Sequence, residues 1–92
     1  MKLIADSGST KTTWVLLEGN TIKNTITTCG LNPYFHNSES VEAVLRADLA
    51  PYLVEYQIKE VHFYGAGCST TYNNNMISDA IRVFLRNSRV FV

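Results

Sequence analysis

The chain has 92 residues, which is enough for one small domain but not for two. Eight basic and eight acidic residues cancel, so the sequence lacks the positive charge excess that marks a nucleic-acid-binding protein. No apolar run of roughly 18 residues is present, and the first residues lack the apolar region of a signal peptide. We therefore expect no membrane partner and a cytoplasmic location, where Cys29 and Cys68 stay reduced.

The first third of the sequence predicts three β-strands joined by short turns. Residues 2–5, 12–18 and 21–29 are rich in β-branched and apolar side chains. Gly19 and Asn20 separate the second and third strands with residues typical of a tight hairpin turn. These segments predict an antiparallel meander.

The rest of the sequence predicts two helices that alternate with two further strands. Ser38 is expected to cap the first helix, which Pro51 kinks or ends. Asn74 or Asn75 is expected to cap the second helix, because apolar residues at helical spacing follow them. Strands are predicted at 60–64 and from 88 onwards. The element order is therefore βββαβαβ.

Helices of crossover length between the later strands predict that these strands are parallel. The fold class expected from this order is α/β, with a mixed sheet and helices on its faces. No composition shift or linker divides the chain.

The turn after the first strand contains more chemistry than a plain hairpin needs. Gly8 allows a positive φ and the close approach of another molecule. Backbone N–H groups in such a turn can form an anion site, and Lys11 adds positive charge. Asp6 would repel a bare phosphate, but it suits a site in which Mg²⁺ lies between them. The residues favour a metal–phosphate site, and a hydrophilic hairpin in which Asp6 bonds its own backbone remains the alternative.

Three stretches of the sequence together resemble one family of nucleotide-binding proteins. Residues 6–12, DSGSTKT, resemble the first phosphate motif of the sugar kinase, Hsp70 and actin superfamily. They look most like the N-acetylglucosamine kinase-like branch, grouped with the BadF/BadG/BcrA/BcrD ATPases. Residues 30–33, GLNP, and 63–68, FYGAGC, are similar to the G-x-N-P segment and the glycine-rich sugar-side loop of that branch. The three stretches in this order are more specific than any one alone.

The resemblance implies a ribonuclease H-like fold, with residues 1–92 forming the N-terminal lobe of an actin-like ATPase. The C-terminal lobe is then expected to be absent from this chain. The implied activity is ATP-dependent phosphoryl transfer to N-acetylglucosamine, glucosamine or a related amino sugar, with Mg²⁺ as cofactor. The implied catalytic base is an aspartate located beyond Val92, so we expect the isolated chain to be inactive.

The resemblance also assigns roles to particular residues. Asp6 would hold Mg²⁺ through water, and the ATP phosphates would meet Gly8, Ser9, Thr10, Lys11 and Thr12. The sugar would meet Asn32, Gly65, Ala66 and Gly67. Local alternatives remain open, because Asn32 can simply form a turn before a proline and the glycines can form a strand-to-helix turn.

Two other functions remain as alternatives to a sugar kinase. One is an activator ATPase of the same broad family that drives a partner redox enzyme, but such activators need cluster-ligating cysteines. Cys29 and Cys68 lack a suitable pattern. The other is a non-catalytic binding lobe. An exposed apolar cleft face would favour association of the lobe into a homodimer.

Overall fold

Five β-strands form one mixed sheet in the computed structural model, which describes residues 1–92. Across the sheet the order is β3-β2-β1-β4-β5, and the bounds are β1 Lys2–Ser7, β2 Lys11–Glu18, β3 Thr21–Cys29, β4 Glu60–Gly65 and β5 Arg89–Phe91. The first three strands are antiparallel, whereas β4 runs parallel to both β1 and β5. The predicted meander, the parallel crossovers and the α/β fold class are confirmed.

Strands β1 and β4 are longer than the sequence pattern predicts. β1 extends to Ser7, so Asp6 lies within the strand rather than in the turn. Asp6 is aligned with Thr13 on β2 and with Tyr64 on β4. Pairing on both sides of a central strand outweighs the weak β-propensity of aspartate and serine, since propensity depends strongly on the sheet context.

The first helix, α1, spans Ser38–Val44 and begins one residue earlier than its predicted cap requires. Asn37 is the N-cap, because its side-chain oxygen accepts a hydrogen bond from the Ser40 N–H at 2.8 Å. The Ser40 hydroxyl accepts from the Asn37 N–H at 3.0 Å, which completes a reciprocal capping pair. The helix continues through a π-helical turn, Leu45–Leu49, and ends in a 3₁₀ turn, Ala50–Tyr52, that contains Pro51.

The second helix, α2, spans Thr71–Phe84, and its predicted caps are wrong. Thr70 is the N-cap, and its hydroxyl accepts a hydrogen bond from the Asn73 N–H at 3.1 Å. Asn74 and Asn75 instead lie at the fourth and fifth helical positions. The threonine competes successfully because its side-chain oxygen satisfies one of the free N–H groups of the first turn. Neither helix is long and apolar enough to cross a membrane.

Both helices pack on the same face of the sheet, so in these residues only one of its two faces is covered. Alternate side chains of the central strands point toward the helices and form the core with them: Leu3, Ala5, Trp14, Leu16, Val61 and Phe63 from the strands, and Val41, Leu45, Ile77 and Ile81 from the helices. The opposite face carries the residues between them, which include Asp6 and Tyr64 and are more exposed. The helices on this face pack against the central strands and hold in place the strand ends at which the candidate site lies.

Candidate functional site

The candidate site lies at the carboxyl ends of the two central parallel strands. Ser7, the last residue of β1, is aligned with Gly65, the last residue of β4. The Ala66 N–H donates to the Ser7 carbonyl at 2.9 Å, so the loop after β4 continues directly alongside the first turn. Ligands of open α/β sheets commonly bind outside such carboxyl ends. Two of the three sequence stretches are thus brought to one sheet edge.

The tip of the first hairpin, residues 8–10, presents free hydrogen-bond donors. Its internal backbone hydrogen bond runs from the Gly8 N–H to the Lys11 carbonyl at 2.8 Å. Ser9 and Thr10 are exposed, and their N–H groups have no protein acceptor. Gly8 does not use the positive φ that a glycine allows, because only Gly19 and Gly67 have one. The tip can therefore offer N–H groups and hydroxyls to an anion without a left-handed residue.

Gly30 supports the tip from beneath, a role that the sequence analysis did not assign. A Cβ atom at Gly30 would lie 2.5 Å from the Gly8 carbonyl oxygen and 2.8 Å from the Ser9 carbonyl carbon. Backbone atoms cannot give way to such contacts without a shift of the turn. The first position of the G-x-N-P stretch must therefore be glycine, since the tip of the first hairpin packs directly on it.

Thr12 faces the interior and differs from the rest of the predicted phosphate set. Its side chain is fully buried, and its hydroxyl donates to the Cys29 carbonyl at 2.9 Å. The Thr12 oxygen also lies 2.8 Å from the Ser7 hydroxyl. A hydroxyl enclosed in this way does not line the open side of the turn, so the side chain of Thr12 is separated from those of Ser9, Thr10 and Lys11. The Thr12 hydroxyl instead links β2 to Ser7 at the end of β1 and to Cys29 at the end of β3.

Asp6 and Lys11 project from the face opposite to Ser7 and Thr12, since adjacent residues of a strand alternate. Both are exposed, and neither forms an ion pair. No group of three or more histidine, cysteine or acidic residues is close enough to enclose a metal ion. Asp6 and Lys11 thus place one unpaired carboxylate and one unpaired ammonium group on the exposed face of the sheet.

The second and third sequence stretches meet at Asn32 and Gly67. A Cβ atom at Gly67 would overlap the Asn32 side-chain oxygen and would come within 3.0 Å of the Tyr34 ring. Gly67 also has a φ of +81°, which disfavours any other residue. The loop after β4 is held further by α2, where the Asn73 side-chain amide donates to the Gly67 carbonyl at 2.9 Å. These contacts fix the predicted sugar-side residues relative to one another.

The two polar groups of the Asn32 side chain differ, because the oxygen forms a hydrogen bond within the protein and the NH₂ group does not. Its side-chain oxygen accepts from the Tyr34 N–H at 2.9 Å, and its backbone carbonyl accepts from the Phe35 N–H at 2.9 Å. The turn-forming alternative is therefore correct for the oxygen. The side-chain NH₂ donates to no protein group, so it remains a donor for a ligand.

Gly65 and Cys68 have mainly packing roles. A Cβ atom at Gly65 would lie 2.6 Å from the Phe63 ring and 3.2 Å from the Cys68 sulfur. Partial burial raises the pKa of the Cys68 thiol, which lowers its thiolate fraction at neutral pH. Cys68 is thus poorly suited to act as a nucleophile.

The candidate site is an open edge rather than an enclosed pocket. The largest surface depression, of about 450 Å³, lies at the opposite end of the sheet and contains none of the candidate residues: its lining is Met1, Glu18, Lys23, Glu55, Tyr56, Gln57 and Lys59. This depression is open and is lined by both acidic and basic side chains, whereas the unpaired N–H groups of Ser9 and Thr10 lie at the opposite end of the sheet.

Comparison with solved structures finds several matches, one of which covers nearly the whole chain. No protein-family model and no curated protein sequence matches the chain. The fold is similar to the crystal structure of a Porphyromonas gingivalis protein provisionally named an N-acetylglucosamine kinase, with a TM-score of 0.90 and 31% identity. The match covers 99% of this chain and 32% of that protein. The chain thus spans about a third of the length of its relative, and its mixed α/β sheet has the fold of part of a kinase-like protein.

Proposed function

We propose that the chain supplies the phosphate-binding hairpin and part of the sugar site of a kinase that phosphorylates N-acetylglucosamine or a related amino sugar. One observation carries the proposal: the exposed N–H groups of the first hairpin tip lie at the same sheet edge as the Asn32–Gly67 contact. The similarity to a protein provisionally named an N-acetylglucosamine kinase supports it. ATP, Mg²⁺ and an amino sugar are the ligands that the proposal requires.

The hairpin would bind the terminal phosphates of ATP. The N–H groups and hydroxyls of Ser9 and Thr10 supply donors, and the Lys11 ammonium supplies a positive charge that no protein carboxylate neutralises. Asp6 would hold Mg²⁺, which when bound neutralises charge on the phosphates. Phosphoryl transfer depends mostly on positioning and charge stabilisation, and these residues provide both.

The sugar would bind beside Asn32. The free side-chain NH₂ of Asn32 can donate to a sugar hydroxyl or to the carbonyl of an acetamido group. Ala66 is exposed between two glycines, which lets a ligand approach the backbone closely. Because Gly67 and Asn32 are in contact, a sugar at one of them would lie near the other.

A general base is needed to accept the proton of the attacking sugar hydroxyl. The two helical aspartates are unsuited, since Asp48 lies in the π-helical turn and Asp79 is exposed, 3.6 Å from Arg82. We propose that in the whole protein this base is an aspartate located beyond Val92. Appreciable phosphorylation of amino sugars by purified residues 1–92 would contradict this assignment.

The nucleotide part of the proposal is tested by titrating the chain with ATP, with and without Mg²⁺, and following backbone amide NMR signals. We expect the signals of Ser9 and Thr10 to shift, and Mg²⁺ to strengthen binding by about tenfold or more. Asp6→Asn should remove most of this magnesium dependence. Asp79→Asn is the matched control, because it removes an exposed carboxylate on α2 and should change nothing.

Two outcomes would contradict the nucleotide part. One is an ATP titration that shifts no tip amide, and the other is an Asp6→Asn variant with the magnesium dependence of the unmodified chain. For the sugar part, N-acetylglucosamine should shift the side-chain amide signals of Asn32. Nucleotide binding without any response to amino sugars would favour the activator ATPase instead.

A further inference from the structure

Ser7 lies where the three segments of the candidate site meet. Its hydroxyl oxygen accepts from the Leu31 N–H at 2.9 Å and lies 2.8 Å from the Thr12 hydroxyl oxygen. Its carbonyl accepts from the Ala66 N–H at 2.9 Å. One residue thus contacts the base of the hairpin, the residue before Asn32, and the residue before Gly67. Ser7 itself is 3% exposed, so it has no access to a ligand.

The direction of every hydrogen bond in this group follows from its two ends. The Leu31 N–H can only donate, and the Cys29 carbonyl can only accept. Thr12 has one hydroxyl proton, which it donates to Cys29, so the Ser7 hydroxyl must donate to Thr12. The result is a continuous chain of donors from Leu31 through Ser7 and Thr12 to Cys29.

The bond between the Leu31 N–H and the Ser7 hydroxyl has no substitute within the protein. The Leu31 N–H is buried and has Ser7 as its acceptor, so it cannot exchange this partner for water without local opening. The Leu31 N–H and the Ala66 N–H both bond to Ser7 directly, whereas Thr12 bonds to the Ser7 hydroxyl from the hairpin side. Movement of Ser7 with the hairpin would therefore move Leu31 and Ala66, and with them Asn32 and Gly67.

We propose that Ser7 is a positioning residue that couples nucleotide binding at the hairpin to sugar binding at Asn32 and Gly67. The inference rests on the proposed function and adds to it a residue that touches neither ligand. Coupling of this kind is reciprocal, so each ligand strengthens the binding of the other by the same factor. The hydroxyl of Ser7 carries the link to Asn32, and its carbonyl carries the link to Gly67.

The test compares Ser7→Ala with Thr12→Val. Ser7→Ala removes the acceptor of the Leu31 N–H, whereas Thr12→Val disturbs the same buried chain but leaves the bond between Leu31 and Ser7. The measurement is the dissociation constant of N-acetylglucosamine with and without saturating magnesium and a non-hydrolysable ATP analogue. It is made at a temperature at which circular dichroism shows each variant to be fully folded, so that the ratio of the two constants does not report stability.

In the unmodified chain we expect the analogue to strengthen sugar binding by about fivefold or more. Ser7→Ala should lower this factor to less than about twofold, because only the carbonyl link to the loop after β4 remains, and each ligand should still bind; Thr12→Val should keep the factor at about fivefold. The proposal is overturned if Ser7→Ala keeps the full factor, if Thr12→Val loses it equally, or if the unmodified chain binds both ligands without coupling. A chain that binds neither ligand instead overturns the proposed function, and the coupling with it.

Discussion

The two hairpin turns of the N-terminal meander contain similar residue types but are built differently. The second turn, Gly19 and Asn20, has a positive φ at its first position, +60°, as a type II′ turn does. A Cβ atom at Gly19 would meet nothing within 4 Å. The first turn, residues 8–10, has no positive φ and rests on Gly30. The second turn is shaped by its own backbone, and the first by contacts from distant parts of the chain.

This difference agrees with the proposal that the first turn, and not the second, binds a ligand. A turn that only reverses the chain needs no support from other segments, and the second turn has none. The first turn is held from beneath by Gly30 and Ser7, while the N–H groups of Ser9 and Thr10 point to no protein acceptor. Support on the inner side combined with free donors on the outer side preorganises a site, which lowers the cost of ordering it on binding.

The largest effect is expected from Gly30→Ala, with Gly19→Ala as its matched control. The new methyl group of Gly30→Ala would collide with backbone atoms of Gly8 and Ser9, and overpacking of this kind costs about 3 kcal/mol of the free energy of unfolding. Gly19→Ala adds a methyl group in open space and should cost only the strain of a left-handed residue, about 1 kcal/mol. Urea unfolding measures both values.

Gly30→Ala should also change the amide signals of Ser9 and Thr10, whereas Gly19→Ala should leave them unchanged. Equal losses of stability in the two variants would show that the first turn is no more dependent on distant contacts than the second. The comparison on which the site assignment rests would then fail.

A smaller effect is expected from Gly67→Ala, which tests the sugar side of the same edge. This variant combines the strain of a positive φ with an overlap on the Asn32 side chain, and the sum should cost about 2 kcal/mol of the free energy of unfolding. Because a side chain can move more easily than backbone, the cost is lower than for Gly30→Ala. The affinity for N-acetylglucosamine should fall while the affinity for magnesium ATP is less affected.

The decisive measurement for Gly67→Ala is the ratio of the two affinities, again with Gly19→Ala as control. A parallel loss of both affinities would mean that the variant disturbs the whole edge, and it would remove the argument that Gly67 belongs to the sugar side.

The sequence predicted the fold better than it predicted the interior of the site. The strands and the parallel crossovers follow from patterns several residues long, which local propensity and helix length determine. Ser7 and Gly30 were not assigned these roles, because their importance depends on atoms more than twenty positions away in the chain. The one available signal was alternation: once β1 reaches Ser7, its side chain must face inward with Leu3 and Ala5.

The caps were mispredicted for a related reason. The sequence predicts caps at Ser38 and at Asn74 or Asn75, whereas Asn37 and Thr70 cap the helices, and residues of all these types can cap. The choice among neighbours depends on where the preceding loop is held. The resemblance groups Thr12 with Lys11 because a family motif treats adjacent residues alike, whereas a strand directs their side chains to opposite faces.

The smallest structural change is expected from Lys11→Ala, with Lys23→Ala as its control beside the second turn. Lys11 is exposed and forms no ion pair, so its removal should leave the free energy of unfolding almost unchanged. Lys23 lies 3.5 Å from Glu18 in an exposed pair of the kind that contributes little to stability. The two variants should therefore unfold at nearly the same urea concentration.

The two variants should differ in nucleotide binding, because only Lys11 lies at the tip with free N–H groups. Lys11→Ala should weaken magnesium ATP binding by about tenfold, and Lys23→Ala by less than about twofold. High salt should reduce this difference, since exposed charges are screened. Equal nucleotide affinities in the two variants would mean that charge at the first turn makes no contact with phosphate, and the two hairpins would then differ in construction but not in function.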